Sequence, residues 1–354
     1  MAREIVVIGG GIIGASIAWH LTEAGAKVSL ICETQGGVAT PNSFAWINAS
    51  RSNPPDYFQL RMRSIAEWPR LAEKVPGLPL SFKGGICWDM SHDELLAYAK
   101  QHAEWGYDIG TIDAAEIARM EPALKDLPDL AALARTEGVA EPLAAANALL
   151  EDAARKGLKI IEARVNGLHR NEQGRVTAVR TTAGEFHDDE IVLAAGAETA
   201  ELAATAGIDV PLETPPGLLV HSKPVAAMLN GLIIAPELHV RQTDEGRIVA
   251  GTDFGGMDPG TDPEAAAAEL FGKVKAFLKG GDDLRLDFYT IGYRPTPRDG
   301  FPIIGRANGA DGLYLAITHS GITLAPALGL FASQEILEGT SEPLLAPYRL
   351  SRFA

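Results

Sequence analysis

The first 33 residues constrain the fold more than any other stretch of the 354-residue chain. Arg3-Glu4-Ile5-Val6-Val7-Ile8 is short, apolar and β-branched, the pattern of a strand buried in a parallel sheet. Gly9-Gly10-Gly11-Ile12-Ile13-Gly14 follows at once, with glycines at 9, 11 and 14. Residues 15–24 have helical composition and stop at Gly25; residues 26–32 read as a second strand, and Glu33 stands 19 positions beyond Gly14. Strand, turn, helix and strand, with G-x-G-x-x-G in the turn and an acid after the second strand, form the pattern of a dinucleotide site. Gly9 permits the tight turn, Gly11 lets a pyrophosphate approach the backbone, and Gly14 lets helix and strand pack closely. The helix start at Ile12 and Ile13 points N–H groups and the positive end of the helix dipole at the phosphates. Glu33 is placed to accept hydrogen bonds from an adenosine ribose.

Composition narrows the function classes. Lys and Arg number 31 against 46 Asp and Glu, a formal net charge of −15 spread along the chain. That balance argues against nucleic acid or an anionic membrane surface as a partner. Cys32 and Cys87 are the two cysteines. They make neither a disulfide framework nor a metal cluster, and they fit a reducing cytoplasm. No G-x-S-x-G elbow, H-E-x-x-H or C-x-x-C occurs, so no metal and no serine or thiol nucleophile is expected. The apolar stretch from Ile5 to Leu21 is broken by three consecutive glycines and is used by the nucleotide fold, so it does not read as a leader. No other apolar run reaches the roughly 18 residues of a membrane span, and no integral membrane segment is expected.

Downstream of Glu33, residues 36–52 form a loop of small and polar residues. Its hydroxyls at Thr40 and Ser43 fall near the path of a pyrophosphate and an extended cofactor. Residues 56–75 read as a helix, 80–89 as the start of a strand pair, and 91–105 as a helix opened by a Ser91–Glu94 capping box. Residues 112–128 read as a short helix and loop. An alanine-rich helix over 143–156, a strand over 158–165, a small meander and a buried strand over 191–197 continue the nucleotide-binding sheet. From Pro211 the pattern changes to short strands with tight turns, an antiparallel sheet. A helix over 263–278 follows, with Asp262 as cap and Pro263 in its first turn, then a strand over 284–294. A proline-braced loop, a strand over 312–317 and a helix opening at residues 318–323 return to the first domain. The expected fold is therefore α/β, a discontinuous Rossmann-like domain (1–80, 139–210 and 290–354) with an inserted α+β substrate-binding domain on an antiparallel sheet (81–138 and 211–289).

Three segments together carry a family likeness: IVVIGGGIIGASIAWHLTEAGAKVSLICE at the start, IVLAAGAET in the middle, and GYRPTPRDGFPIIGR with GITLAPALG near the end. Their combination resembles the D-amino acid oxidase, glycine oxidase and sarcosine oxidase family of flavoproteins. The resemblance implies FAD bound in extended form, with Gly9, Gly11 and Gly14 at its pyrophosphate and Glu33 at its ribose. It also implies backbone contacts from Val165 to the adenine, and Ala195 and Gly196 along the cofactor. The amides of Ser320, Gly321, Ile322 and Thr323 would face the N1–C2=O edge of the flavin, where a helix N-terminus favours the negative charge of the reduced ring. Arg294 matches the arginine that grips the substrate carboxylate, with an ion pair to Asp299 as the alternative for that side chain. His319 stands where glycine oxidase-like members carry a further arginine, and it joins Tyr289, Tyr293, His221 and His239 as a candidate pocket residue. Sarcosine oxidases attach their flavin through a cysteine that Asp287-Phe288-Tyr289-Thr290 lacks, so FAD is expected to be non-covalent.

The resulting expectation is an FAD-dependent oxidoreductase. It would oxidise the C–N bond of a small amino acid or N-substituted amino acid to an imine that then hydrolyses, with oxygen or a carrier as electron acceptor. A flavin-carrying subunit of a larger amine dehydrogenase and an NAD-dependent dehydrogenase are the alternatives.

Overall fold

The computed structural model describes residues 3–51, 53–252, 254 and 258–354. Ser52, the last residue of the loop expected over 36–52, lies outside the described residues. Six strands form the nucleotide-side sheet in the order Ile303–Arg306, Leu313–Ile317, Glu190–Leu193, Glu4–Ile8, Lys27–Cys32, Lys159–Glu162. Neighbours run parallel except the first pair, which is antiparallel. In register, Val6 lies between Ile191 and Ser29.

Alternation along the first strand explains the layers, because successive side chains leave a strand on opposite faces. Ile5 and Val7 pack into a core with the helices Ile12–Glu23, Pro55–Lys74, Pro142–Arg155 and Gly321–Glu338. Val6 and Ile8 face the other way, onto the three-stranded meander through Leu168, Val176 and Val179. Full burial of such side chains contributes about 1.5–3 kcal/mol each. The helix Ile12–Glu23 is apolar nearly all round because it is enclosed between the sheet and two other helices. Its approach to the C-terminal helix depends on Gly329, where a Cβ would stand 2.3 Å from Ser16 Oγ. Ser16 Oγ donates to Ala325 O across the same contact, at 2.7 Å.

A second sheet has eight strands, in the order Leu286–Tyr293, Pro216–Ser222, Ile248–Gly251, His239–Gln242, Leu232–Ile234, Gly85–Cys87, Leu130–Ala134, Ile109–Asp113. It is antiparallel except where Leu232–Ile234 runs parallel to Gly85–Cys87. That one pairing joins the early and late stretches of chain into a single sheet. Two of its strands, Ile109–Asp113 and Leu130–Ala134, fall in and beside the stretch expected as a short helix and loop; only Ala114–Met120 is helical there. The helix Pro263–Phe277 covers this sheet and is capped by Asp262, whose Oδ1 accepts from Ala265 N at 3.0 Å. Among the described residues no helix is long and apolar enough to cross a membrane.

Candidate functional site

A cavity of about 1010 Å³ runs from the carboxyl ends of the parallel strands to the eight-stranded sheet. Its size is at the upper end of ligand pockets, enough for a large extended molecule and a small one beside it. At the near end Gly9, Gly11, Ile12 and Ile13 line it, with Glu33, Thr40 and Ser43 close by. Gly9 has φ +109° and no room for a Cβ, which would stand 2.3 Å from Ala194 O. Gly14 does not line the cavity. A Cβ there would lie 1.9 Å from Gly9 O, so its part is to let helix and turn touch.

The hydroxyls in the following loop are committed to structure as well as to the cavity wall. Ile12 N–H is not open to a ligand, as expected from its place at the helix start, but donates to Thr40 Oγ1 at 3.0 Å. Thr40 thus satisfies one orphan amide of the helix from 28 residues away. Ser43 Oγ accepts from Ala45 N at 3.0 Å and braces Ala45 at φ +64°. Val165, Ala195 and Gly196 line the same cavity from the sheet side.

The second turn, His319 to Thr323, also lines the cavity. A Cβ on Gly321 would sit 3.4 Å from Ile12 Cγ2 and 3.6 Å from Ile13 Cγ1, so the two glycine turns are in contact although 310 residues separate Gly11 from Gly321. The helix Pro55–Lys74 holds this turn in place. Pro326 has no N–H to give Ile322 O, the carbonyl four residues back, and Trp68 Nε1 donates there instead at 3.1 Å. Thr323 Oγ1 donates to Trp46 O at 3.0 Å and accepts from Asn48 N at 3.3 Å, so its side chain is a tie to the neighbouring loop.

No sequence motif points to Arg61, yet it is central here. It is 6% exposed, lines the cavity, and donates from Nε to Asn48 O at 2.9 Å, from Nη2 to Asn48 Oδ1 at 2.7 Å and from Nη1 to Ser320 Oγ at 2.8 Å. The available signal was its position between Phe58 and Ile65 on the buried stripe of an amphipathic helix, where a lone charge is out of place. His319 Nε2 lies 2.9 Å from Gly300 O and its Nδ1 lies 3.2 Å from Ser320 Oγ. Burial, then the charge of Arg61, lowers His319 to about 4, so the ring is neutral near pH 7. It donates from Nε2 to Gly300, which leaves Nδ1 to accept from Ser320.

Arg294 and Tyr293 line the far end. A Cβ on Gly217 would stand 2.7 Å from Arg294 Nη2, so a glycine makes space for the guanidinium. Asp299, the alternative partner of Arg294, pairs instead with Arg352 at 2.6 Å. His239 is buried between Phe254, stacked at 4.0 Å, and the edge of Phe44 at 4.4 Å. Burial lowers it to about 3, helped by the charges of Arg294 and Arg51. Arg51 pairs with Asp89, and both line the cavity. Arg51 has φ +81°; with Ala45 it is one of two non-glycine residues at positive φ among those described, and both border this site.

Two expected pocket residues are elsewhere. Tyr289 is 36% exposed on the edge strand, and His221 stacks on Phe288 at 4.4 Å and meets Thr290 Oγ1 at 3.3 Å; neither lines the cavity. Strand alternation gives the face of a side chain but not its distance along the strand from the site. Among the described residues no three His, Cys, Asp or Glu side chains gather as metal ligands.

A family model described as FAD dependent oxidoreductase (DAO) matches residues 4–334. A glycine oxidase of Pseudomonas putida is 28% identical, over 98% of this chain and 97% of its own. An opine oxidase subunit of Agrobacterium tumefaciens is 26% identical, over 99% and 97%. Among solved structures, L-proline dehydrogenase from P. horikoshii superposes with a TM-score of 0.87 at 24% identity, over 99% of this chain and 98% of that one.

Proposed function

The chain belongs to the family of FAD-dependent oxidoreductases, and from that premise we propose that it oxidises the C–N bond of a small amino acid or N-substituted amino acid, with FAD held non-covalently. One observation carries this reading: two glycine turns from opposite ends of the chain line one cavity whose other end holds Arg294. The residues present fit the cofactor. Backbone at Gly9 to Gly11 suits the pyrophosphate, Glu33 the ribose, Val165 the adenine side, Ala195 and Gly196 the extended middle. The Ser320 to Thr323 amides suit the N1–C2=O edge of the ring. Neither cysteine is placed for attachment at the ring: Cys32 Sγ packs against Gly10, and Cys87 donates to Asp89 at 3.0 Å.

FAD, when bound, supplies the hydride acceptor. The chain supplies position and potential. Arg294 takes the substrate carboxylate in a bidentate pair and so orients the α-carbon. The neutral rings of His239 and His319 add no competing charge, while Arg61 and the start of the C-terminal helix place positive potential at the ring end. Oxygen or a protein carrier then takes the electrons. Family membership sets aside the NAD-dependent dehydrogenase.

A second reading, a flavin-carrying subunit of a larger amine dehydrogenase, is favoured by Phe288, Tyr289 and Tyr293. These lie 42%, 36% and 49% exposed along the edge strand Leu286–Tyr293, and the opine oxidase relative is itself a subunit. Two buried free cysteines suit a cytoplasmic setting. Anaerobic mixing of the FAD-loaded chain with glycine, sarcosine, proline, D-amino acids and N-carboxyalkyl amino acids tests the proposal. Bleaching of the flavin by a member of this panel supports a self-sufficient enzyme, and a chain that stays yellow with all of them contradicts it.

A further inference from the structure

Beneath the loop that carries Trp46, Asn48 and Arg51 lies a carboxylate that the chemistry above does not use. Glu137 is 2% exposed. Trp46 Nε1 donates to its Oε2 at 2.8 Å, Tyr107 Oη donates to its Oε1 at 2.6 Å, and Ser50 Oγ donates to the same Oε1. Among the described residues these three side-chain partners are all neutral. Glu137 does not line the cavity, but Ser50 does. The Ser50 hydroxyl therefore stands between the cavity and a buried base. A structural tie of Trp, Tyr and Ser would be served by a neutral acceptor, whereas burying a carboxylate without a paired cation costs several kcal/mol.

Given the amine oxidation proposed above, on which this step rests, we propose that Glu137 receives the proton of the substrate ammonium through the hydroxyl of Ser50. The ammonium N–H proton passes to Ser50 Oγ while the Ser50 proton passes to Glu137 Oε1. The amine is left neutral with its lone pair, and the α-C–H hydride leaves with its electron pair to FAD. The proton on Glu137 later returns to cavity water by the same route. Ser50 is the residue in the cavity wall; Glu137 acts through it.

The surroundings suit the task. Burial raises Glu137 to about 7, opposed by its Ser50, Tyr107 and Trp46 donors and by the charge of Arg61. Arg61 is the charged group facing it from the helix Pro55–Lys74. Tyr98, from the helix His92–Glu104, meets Ser50, and both Tyr98 and Tyr107 are pushed up by burial and by Glu137, so they stay protonated donors. Glu137 is thus the group here that changes charge near neutrality.

The test uses the FAD-loaded chain with Ser50→Ala, Ser50→Thr and Glu137→Gln, read by anaerobic flavin reduction against pH and by the infrared band of a protonated buried carboxyl. In the wild type, reduction should accelerate as pH rises through about 7, with the infrared band fading over the same range. Ser50→Ala should slow reduction by about 100-fold, the lower scale of general base catalysis, and move the infrared midpoint upward because a donor is lost. Ser50→Thr should restore both. Glu137→Gln should lose the band and flatten the profile; if that variant fails to fold, the two Ser50 variants decide. Ser50→Ala reducing FAD at the wild-type rate with the wild-type pH dependence overturns the relay. A wild-type enzyme that no amine reduces overturns the oxidation reading instead, and this role with it.

Discussion

The two ends of the cavity are built on different principles. At the nucleotide end much of the wall comes from neighbours in sequence, the glycine turn, the strand that ends before Glu33 and the loop to Thr40, with Val165, Ala195 and Gly196 added from the sheet side. At the far end the walls are side chains from distant segments, Arg51 and Asp89, Arg61, His239, Arg294 and His319, two of them histidines held neutral by burial. On the proposed reading the backbone end serves the cofactor, and it leaves a local motif in the sequence. On the same reading the side-chain end serves the substrate, and its members come from segments far apart in the chain, as Arg61 and Ser320 are 259 residues apart.

The largest effect should come from the backbone end. Gly14→Ala places a Cβ 1.9 Å from Gly9 O, a backbone atom with nowhere to go, so the purified chain should retain no FAD. A Gly14→Ala protein that purifies yellow would remove the close packing of turn and helix from the account. Next, Arg294→Met should leave FAD bound but weaken binding of the substrate carboxylate by about 2–5 kcal/mol, the scale for breaking a buried charge pair. Unchanged apparent affinity in that variant takes Arg294 out of the substrate site. The smallest effect is a dependence of stability on pH. His239 and His319 ordinarily titrate at 6.5 but stay neutral in the fold down to about 3 and about 4. An unfolded chain therefore binds protons that the folded one refuses, so their contribution is complete above 6.5 and is lost as pH falls toward 4. His20, half-buried in the helix Ile12–Glu23 and lowered to about 4 by desolvation, adds to the same loss. Melting temperatures across that range should drop less in His239→Gln than in the wild type, and equal drops would mean that His239 is not held neutral by its site.

The same contrast governs what could be read from the sequence. The glycine turn, its flanking strands and Glu33 were legible because all lie within 33 residues and each has a composition that only this use explains. The helix opening at residues 318–323 was legible as a second strand-turn-helix facing the first, but its role at the flavin edge came only through family likeness, since one glycine before a helix has many uses. Thr40 was placed near the cofactor path, but its cap on Ile12 depends on a loop returning over 28 residues. The strand Leu130–Ala134, Leu-Ala-Ala-Leu-Ala, carries helical composition and is a strand because Gly85–Cys87 and Ile109–Asp113 pair with it. Arg61, Arg51, Asp89 and Glu137 left no motif at all. They sit among apolar residues or in a loop, and their partners come from up to 259 residues away, as with Arg61 and Ser320.

The central claim is that the glycine turn at residues 9–11 and the turn at residues 320–321 hold one cofactor between them. Gly321→Asp tests it most directly, because the Cβ has room at 3.4 Å from Ile12 and an acid in the first turn of a helix favours that helix. The fold should therefore survive, with negative charge set against the flavin. Titration of FAD into the apoprotein of this variant should give a dissociation constant raised by at least about tenfold, or 1.4 kcal/mol. A dissociation constant equal to that of the wild type would contradict the account.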